Sequence, residues 1–245
     1  MQIAIDVHTH SVASGHAYST VDDLARGARE AGLAGFVLTD HGPAMPGTTQ
    51  AYHFGNLGVI PNPLDGVRFY KGIEANIMDY KGAIDLDIPT LLRLDFVIAG
   101  LHELCLAPAG KAENALAMVK ALENPFVDAI SHPGNSVYPI DIEAIVEAAR
   151  ANGKALEINN SSFKNRVKSK PFCLAIAKRC AETGTRIVAG TDSHYWRDVG
   201  RFDLVLPVLE EAGVPEELVV NASVGSFERF LAECRERKVT AQRAV

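Results

Sequence analysis

Short apolar runs that stop at a histidine recur along the whole chain. Ile3-Ala4-Ile5 leads into Asp6-Val7-His8-Thr9-His10, Phe36-Val37-Leu38 into Thr39-Asp40-His41, and Phe96-Val97-Ile98-Ala99-Gly100 into His102. Ala129-Ile130 precedes Ser131-His132, and Ile187-Val188-Ala189-Gly190 precedes Thr191-Asp192-Ser193-His194. A carboxylate version appears where Val67-Arg68-Phe69-Tyr70 passes through Gly72-Ile73 into Glu74. Apolar runs of this length, bounded by glycine or polar residues, predict buried strands. The expected strands lie near 3–8, 36–39, 68–73, 96–100, 127–131, 155–158 and 186–189.

Between several of these runs the apolar positions follow a helical spacing, predicting helices over 21–31, 112–122, 141–151 and 171–182. Gly32, Gly153 and Gly184 each follow one of them, where a left-handed C-terminal cap favours glycine. Thr20 before Val21-Asp22-Asp23 has the form of an N-cap with acids in the first turn. Alternation of strand and helix favours parallel strands joined by right-handed crossovers. Every candidate ligand sits at the C-terminal end of its strand, and in a closed barrel those ends converge on one face. An open sheet would spread them along a line. Seven strands therefore predict an α/β barrel with one unit fewer than the common eight, built as a single domain over residues 1–245.

In a strand, residues two apart point to the same side, so His8 and His10 can reach one ion. Seven histidines with two or three carboxylates exceed what one tetrahedral ion needs, which points to two or three ions. Imidazole suits Zn and Fe, and the added carboxylates keep Mn in play, so the set argues for a transition metal over Ca or Mg alone. Catalysis at a multi-metal site is the leading expectation.

Composition changes this picture little. The 47% hydrophobic content is ordinary for a globular protein, and 24 Lys+Arg against 30 Asp+Glu give a formal charge of -6. That balance offers no electrostatic reason to expect nucleic acid as the main partner, except as a nucleotide. Bound cations would offset the negative charge locally, leaving room for an anionic substrate. No signal-peptide pattern opens the chain and no apolar run approaches a membrane span, so no membrane partner and a cytoplasmic location are expected. Cys105, Cys173, Cys180 and Cys234 lack CxxC spacing and are expected to be small, reduced, largely buried thiols.

The motifs taken together resemble the polymerase and histidinol phosphatase (PHP) superfamily of metal-dependent phosphoesterases. The likeness rests on Asp6-Val7-His8-Thr9-His10-Ser11, His16, Thr39-Asp40-His41, Gly72-Ile73-Glu74, His102, Ser131-His132-Pro133 and Asp192-Ser193-His194, spanning about residues 3–195. Ser14-Gly15-His16-Ala17-Tyr18-Ser19, Asp40-His41-Gly42-Pro43, Gly72-Ile73-Glu74-Ala75-Asn76-Ile77 and Glu157-Ile158-Asn159-Asn160-Ser161-Ser162-Phe163 are especially similar to its small stand-alone bacterial phosphatases. The resemblance implies a distorted (β/α)7 barrel with three divalent ions, commonly zinc, at the C-terminal face. By motif, one ion would take His8, His10, Glu74 and Asp192, a second Glu74, His102 and His132, and a third His16, His41 and His194. It further implies hydrolysis of small phosphomonoesters by in-line attack of a metal-bound hydroxide, with Asp192 and His194 acting through the metals and bound water. Asp192 has a ligand role first and a proton-shuttle role second. A homo-oligomer is compatible with this class.

Other residues carry weaker signals. The locally basic stretch 164–170 follows the sixth strand, so Arg166 and Lys164 are candidates to hold a phosphate, the alternative being a solvated loop. His53, expected in a loop, is either a rim residue without metal or a substrate contact. Asp40 and Glu157 are candidates to orient imidazoles, as is Asn159 for the site around it. The closing stretch from Glu233 is polar, with a helical tail expected to about 236 and disorder at its end. Rival functions are phosphodiesterase or nuclease activity of the same family, an amidohydrolase-like hydrolase and a noncatalytic metal store. Amidohydrolase-like sites usually use fewer histidines and often a bridging lysine, and no lysine occupies a strand end here.

Overall fold

The seven predicted strands pair side by side in chain order: β1 (Ile5–Thr9), β2 (Gly35–Leu38), β3 (Arg68–Asn76), β4 (Phe96–Gly100), β5 (Ala129–Ile130), β6 (Ala155–Asn159) and β7 (Arg186–Gly190). All six neighbouring pairs are parallel. The computed structural model describes residues 1–166 and 168–243, so Val167 of the basic stretch and residues 244–245 lie outside the described residues. Helices follow most strands: α1 (Val21–Glu30), α2 (Ala51–Asn56), α3 (Ile88–Leu91), α4 (Lys111–Glu123), α5 (Ile142–Ala151), α6 (Ser162–Asn165), α7 (Lys170–Thr183), α8 (Val205–Glu211) and α9 (Val224–Gln242). No helix among the described residues is long and apolar enough to cross a membrane.

The barrel is nearly closed, and side chains complete the seam between β7 and β1. At the upper end backbone pairing suffices: Asp192 N–H donates to the His8 carbonyl at 2.8 Å and His10 N–H to that of Ser193 at 2.9 Å. Lower down, Asn221 stands between the two strands. Its Nδ2 donates to the Ile5 and Ala189 carbonyls at 2.8 and 2.7 Å, while its Oδ1 accepts Ala189 N–H at 3.0 Å. One buried amide thus satisfies edge groups that a further strand would otherwise pair. Asp6 ties the same seam by accepting Thr191 N–H at 3.1 Å, Thr191 Oγ1–H at 2.5 Å and Gly200 N–H at 3.0 Å.

Two apolar layers follow from strand alternation. Outward residues such as Phe36, Leu38, Ile73, Val97 and Leu156 pack under the helices with Leu24, Met118, Ile145 and Ile176. Inward residues Ile5, Val7, Val37, Tyr70, Phe96, Ile98 and Val188 fill the barrel, and Phe227, Phe230 and Cys234 of α9 plug its floor. The inward stripe turns polar toward the top: Tyr70 is followed at even spacing by Glu74 and Asn76, and Ala155 by Glu157 and Asn159. His8 joins this face although its neighbour Val7 is also inward, because the β1–β2 ladder shifts register between Asp6 and Thr9.

The expected helix ends hold. Gly32, Gly153 and Gly184 adopt φ of 74°, 62° and 71°, and Thr20 forms a capping box with Asp23. Three expectations need correction. Strand β3 runs to Asn76 rather than 73, because Glu74 and Asn76 continue its ladder with β4. Strand β5 is confined to Ala129–Ile130. Helix α9 continues to Gln242, beyond the expected end near 236, while the disorder expected at the chain's end falls on residues 244–245, outside the described residues. Phe227, Phe230, Cys234 and Lys238 recur at three- and four-residue spacing and are buried, and Lys238 Nζ and Arg237 Nη2 bond the buried Asp128 at 2.5 and 2.8 Å.

Candidate metal centre

The strand ends and adjoining loops gather nine side chains, with the Glu74 carboxylate among eight others. Glu74 Oε1 lies 2.8 Å from His132 Nε2 and 3.2 Å from His102 Nε2, while its Oε2 lies 2.9 Å from His41 Nδ1, 3.2 Å from His8 Nε2 and 3.5 Å from His10 Nε2. Asp192 Oδ1 is 3.3 Å from His10 Nε2, 3.7 Å from His8 Nε2 and 3.5 Å from His194 Nδ1. Four triplets bring their ligand atoms within 4.8 Å of one another: His8/His10/Asp192, His8/Glu74/His132, His41/Glu74/His102 and His10/His41/His194. His16 completes the outer end, its Nε2 facing His194 Nε2 at 2.9 Å. All nine expected ligands are therefore together, with His8, His10, Glu74 and His132 buried and His16 at the mouth.

Local backbone geometry aims these groups. His132 and Asp192 take positive φ, 31° and 56°, unusual for residues with a side chain. Glycines make room: a Cβ on Gly190 would overlap Glu157 Oε1, and one on Gly100 would overlap Ser131 Oγ and sit 3.2 Å from Glu74 Oε1.

Outer hydrogen bonds fix which ring nitrogen faces inward. His8 Nδ1 bonds Glu157 Oε1 at 2.8 Å, and the other Glu157 oxygen accepts His132 N–H at 2.7 Å. His102 Nδ1 bonds Asn76 Oδ1 at 2.7 Å, and Asn76 Nδ2 in turn donates to Asp85 at 2.5 Å. His10 Nδ1 bonds Ser14 Oγ at 3.0 Å, which donates to Asp40 Oδ1 at 2.7 Å. The ring Nδ1 atoms of His16 and His194 bond the Ser14 and Asp192 carbonyls at 3.0 and 3.1 Å. In the neutral ring, each Nδ1 that meets a carbonyl, carboxylate or amide oxygen carries its proton there, leaving the Nε2 lone pair aimed into the site.

Those inward lone pairs are the test of whether cations fit. His8 Nε2, His10 Nε2, His41 Nδ1 and Glu74 Oε2 are buried with no hydrogen-bond partner, and His16 and His194 oppose two lone pairs. Unpartnered buried polar atoms are costly, and divalent ions would satisfy them all. The imidazole and carboxylate donor set suits transition ions.

The site polarises its own members. Burial opposes ionisation of Glu74, yet His8, His102, His41 and His132 hold its carboxyl well below the usual range. Asp192 is likewise held well down, against burial, by His8 and Arg166. His8 shows the converse: burial pushes its pKa down, but Glu157, Glu74 and Asp192 together raise it well above the ordinary value. Burial and the neighbouring His194 and His41 keep His10 neutral, and burial and Arg166 push His132 down to about 4.

Around this core, Arg166 reaches the mouth and donates to Asp192 Oδ2 at 3.0 Å, with weaker bonds to Ser162 Oγ and Asn159 Oδ1 at 3.2 and 3.3 Å. Lys164 points elsewhere, its Nζ 3.8 Å from Asp198 on the surface. His53 lies on α2 rather than in a loop, and its Nε2 meets Asp40 Oδ2 at 3.2 Å. Asp40 also accepts from Ser11 N–H at 2.7 Å and Ser11 Oγ–H at 2.8 Å, so it braces the first histidine motif. Glu157 touches two histidine motifs at once. Sequence reasoning overlooked Asn76 as the partner of His102, although its position two residues beyond Glu74 on β3 places both on one face, and it overlooked Ser14, for which no period gave a signal.

Comparison with known proteins agrees with this architecture. The PHP domain model matches residues 6–161. A probable phosphatase of Acetivibrio thermocellus is 50% identical over 97% of this chain and 98% of its own, and one of Shewanella sp. is 46% identical over 95% and 93%. Among solved structures, the histidinol phosphate phosphatase of Lactococcus lactis, complexed with Zn, L-histidinol and phosphate, superposes with a TM-score of 0.62 at 19% identity, covering 88% of this chain and 95% of the other. At that identity the likeness speaks for the fold. The matched motifs, the near full-length relatives and the convergent ligands make this chain a member of the PHP domain family.

Proposed function

We propose that this chain is a phosphatase that hydrolyses small phosphomonoesters with three divalent ions, zinc foremost and Mn or Fe as alternatives. The observation behind it is the set of buried, unpartnered ring nitrogens and carboxylate oxygen converging around Glu74. His8, His10, Glu74 and Asp192 would hold one ion, Glu74, His102 and His132 a second, and His16, His41 and His194 a third. His10 also stands close to His41 and His194, so the first and third groups would lie side by side. When bound, such ions supply charge neutralisation on the phosphoryl oxygens and an activated water. Full-length relatives are named probable phosphatases, and the Lactococcus enzyme of the same fold holds Zn and phosphate.

The chain's own residues then divide the remaining work. Glu157 and Asn76 hold His8 and His102 in one orientation. Asp192, kept anionic, serves as a ligand in preference to donating a proton, while His194 stays accessible at the rim, its side chain 31% exposed. Arg166 is fixed in place by Asp192 and keeps donors directed at the mouth, where a nonbridging phosphoryl oxygen would accept them. The four free thiols suit a reducing compartment, which supports a cytoplasmic protein.

Arg166→Ala tests this assignment. It is expected to raise KM for p-nitrophenyl phosphate by about tenfold, the loss of roughly one charge-assisted hydrogen bond. Cleavage of bis-p-nitrophenyl phosphate by the unaltered protein without cleavage of the monoester would replace the assignment with a phosphodiesterase.

A further inference from the structure

The cavity above the metal centre has a chemically divided lining. It measures about 820 Å³, and His16, His41, His102, His132, His194, Asp192 and Arg166 line one part of it. Apolar side chains from three loops supply much of the rest, Met45 and Pro46 after β2, Leu104 after β4, and Val137 and Tyr138 after β5, interspersed with Asn135, Ser136, Ser161 and Asn165. Leu104 and Val137 are 71% and 41% exposed, both within a few residues of a ligand histidine. Tyr138 offers its ring and not its hydroxyl, because the O–H is already donated to the Leu106 carbonyl at 2.6 Å.

We infer that this apolar part of the lining receives the leaving group, and that the preferred substrates are monoesters of flat apolar alcohols, aryl phosphates above all. The inference rests on the phosphomonoesterase assignment above and names its substrate class. A polyol pressed on Leu104, Val137 and Met45 would find no partner on those three side chains and would have to turn its hydroxyls toward Asn135, Ser161 or Asn165, a constraint an aromatic ring does not have. The ring instead removes exposed apolar surface from water on both sides. Apart from the proposed metal ligands, Glu103 and Arg166 are the only ionised residues in the lining among the described residues. Arg166 is engaged by Asp192 and the transferred phosphoryl group, so a second phosphate on the leaving group would meet Glu103, a like charge. That disfavours nucleoside polyphosphates and bisphosphates.

The test uses the metal-loaded protein with 1-naphthyl phosphate and ribose 5-phosphate. The expected ratio of kcat/KM, aryl over sugar, is at least about tenfold, and the Leu104→Ser/Val137→Ser double variant is expected to bring that ratio down by a similar factor. Both are partly exposed loop residues, and unchanged metal content and melting temperature of the variant provide the check on its fold. Hydrolysis of both esters with a ratio near or below one, or a ratio the double variant leaves untouched, overturns the aryl preference while the phosphatase assignment stands. Hydrolysis of neither ester by fully loaded protein overturns both.

Discussion

Replacing Glu74 by Gln is expected to lower turnover of p-nitrophenyl phosphate by about a thousandfold or more, equivalent to roughly 4 kcal/mol of transition-state stabilisation. No other side chain in the centre addresses so many partners. Its two oxygens stand within 3.5 Å of the ring nitrogens of His8, His10, His41, His102 and His132. Glutamine keeps the shape but replaces one anionic oxygen by an NH2 group, which cannot ligate a cation and neutralises no charge. Bound metal per chain is expected to fall together with activity. A Glu74→Gln protein with full metal content and near-normal kcat would mean that the carboxylate is structural.

Removing the metals is the second large perturbation. A ligand present at about a hundred times its Kd stabilises the fold by roughly 2.7 kcal/mol per site, so two or three such sites amount to about 5–8 kcal/mol. For a chain of this size that corresponds to a drop in melting temperature of about 10 °C or more on treatment with a strong chelator, reversed by zinc. The pH dependence has a definite sign. His8, raised well above its unfolded value, is protonated in the metal-free fold near neutral pH, and the Coulombic support it thereby gives is lost as pH rises through its folded pKa. Glu74 and Asp192, held well below the usual carboxylate range, stay ionised and contribute no slope between pH 6 and 8. Metal binding requires neutral His8, so affinity grows over the same interval. The gap in melting temperature between loaded and metal-free protein is therefore expected to widen from pH 6 to pH 8. A constant or narrowing gap by differential scanning calorimetry would contradict this role for His8.

Much of this centre was legible before any coordinates because its ligands obey strand logic. Each predicted run ended where the barrel opens, which put Glu74 at the end of β3 and the histidines at the tops of β1, β2, β4, β5 and β7. What the pattern did not reveal lies in tertiary hydrogen bonds. Ser14 and Asn76 orient His10 and His102 through polar side chains that a single sequence marks no differently from loop residues. Asn221 closes the barrel from a segment with neither strand pattern nor apolar run. Helix α9 was shortened because its charged positions mask the spacing of Phe227, Phe230 and Cys234, which only the barrel floor explains. Lys164 and Arg166, equivalent as cations in a basic stretch, are separated by the turn after α6, one toward Asp198 and the other toward Asp192.

Elemental analysis of protein purified without chelator, paired with a p-nitrophenyl phosphate assay of the same sample and of His132→Ala, addresses the central claim most directly. The expected result is about three divalent ions per chain and monoester turnover that His132→Ala abolishes. Full metal occupancy without turnover of either the monoester or bis-p-nitrophenyl phosphate would contradict the phosphoesterase assignment and return the site to an amidohydrolase-like hydrolase.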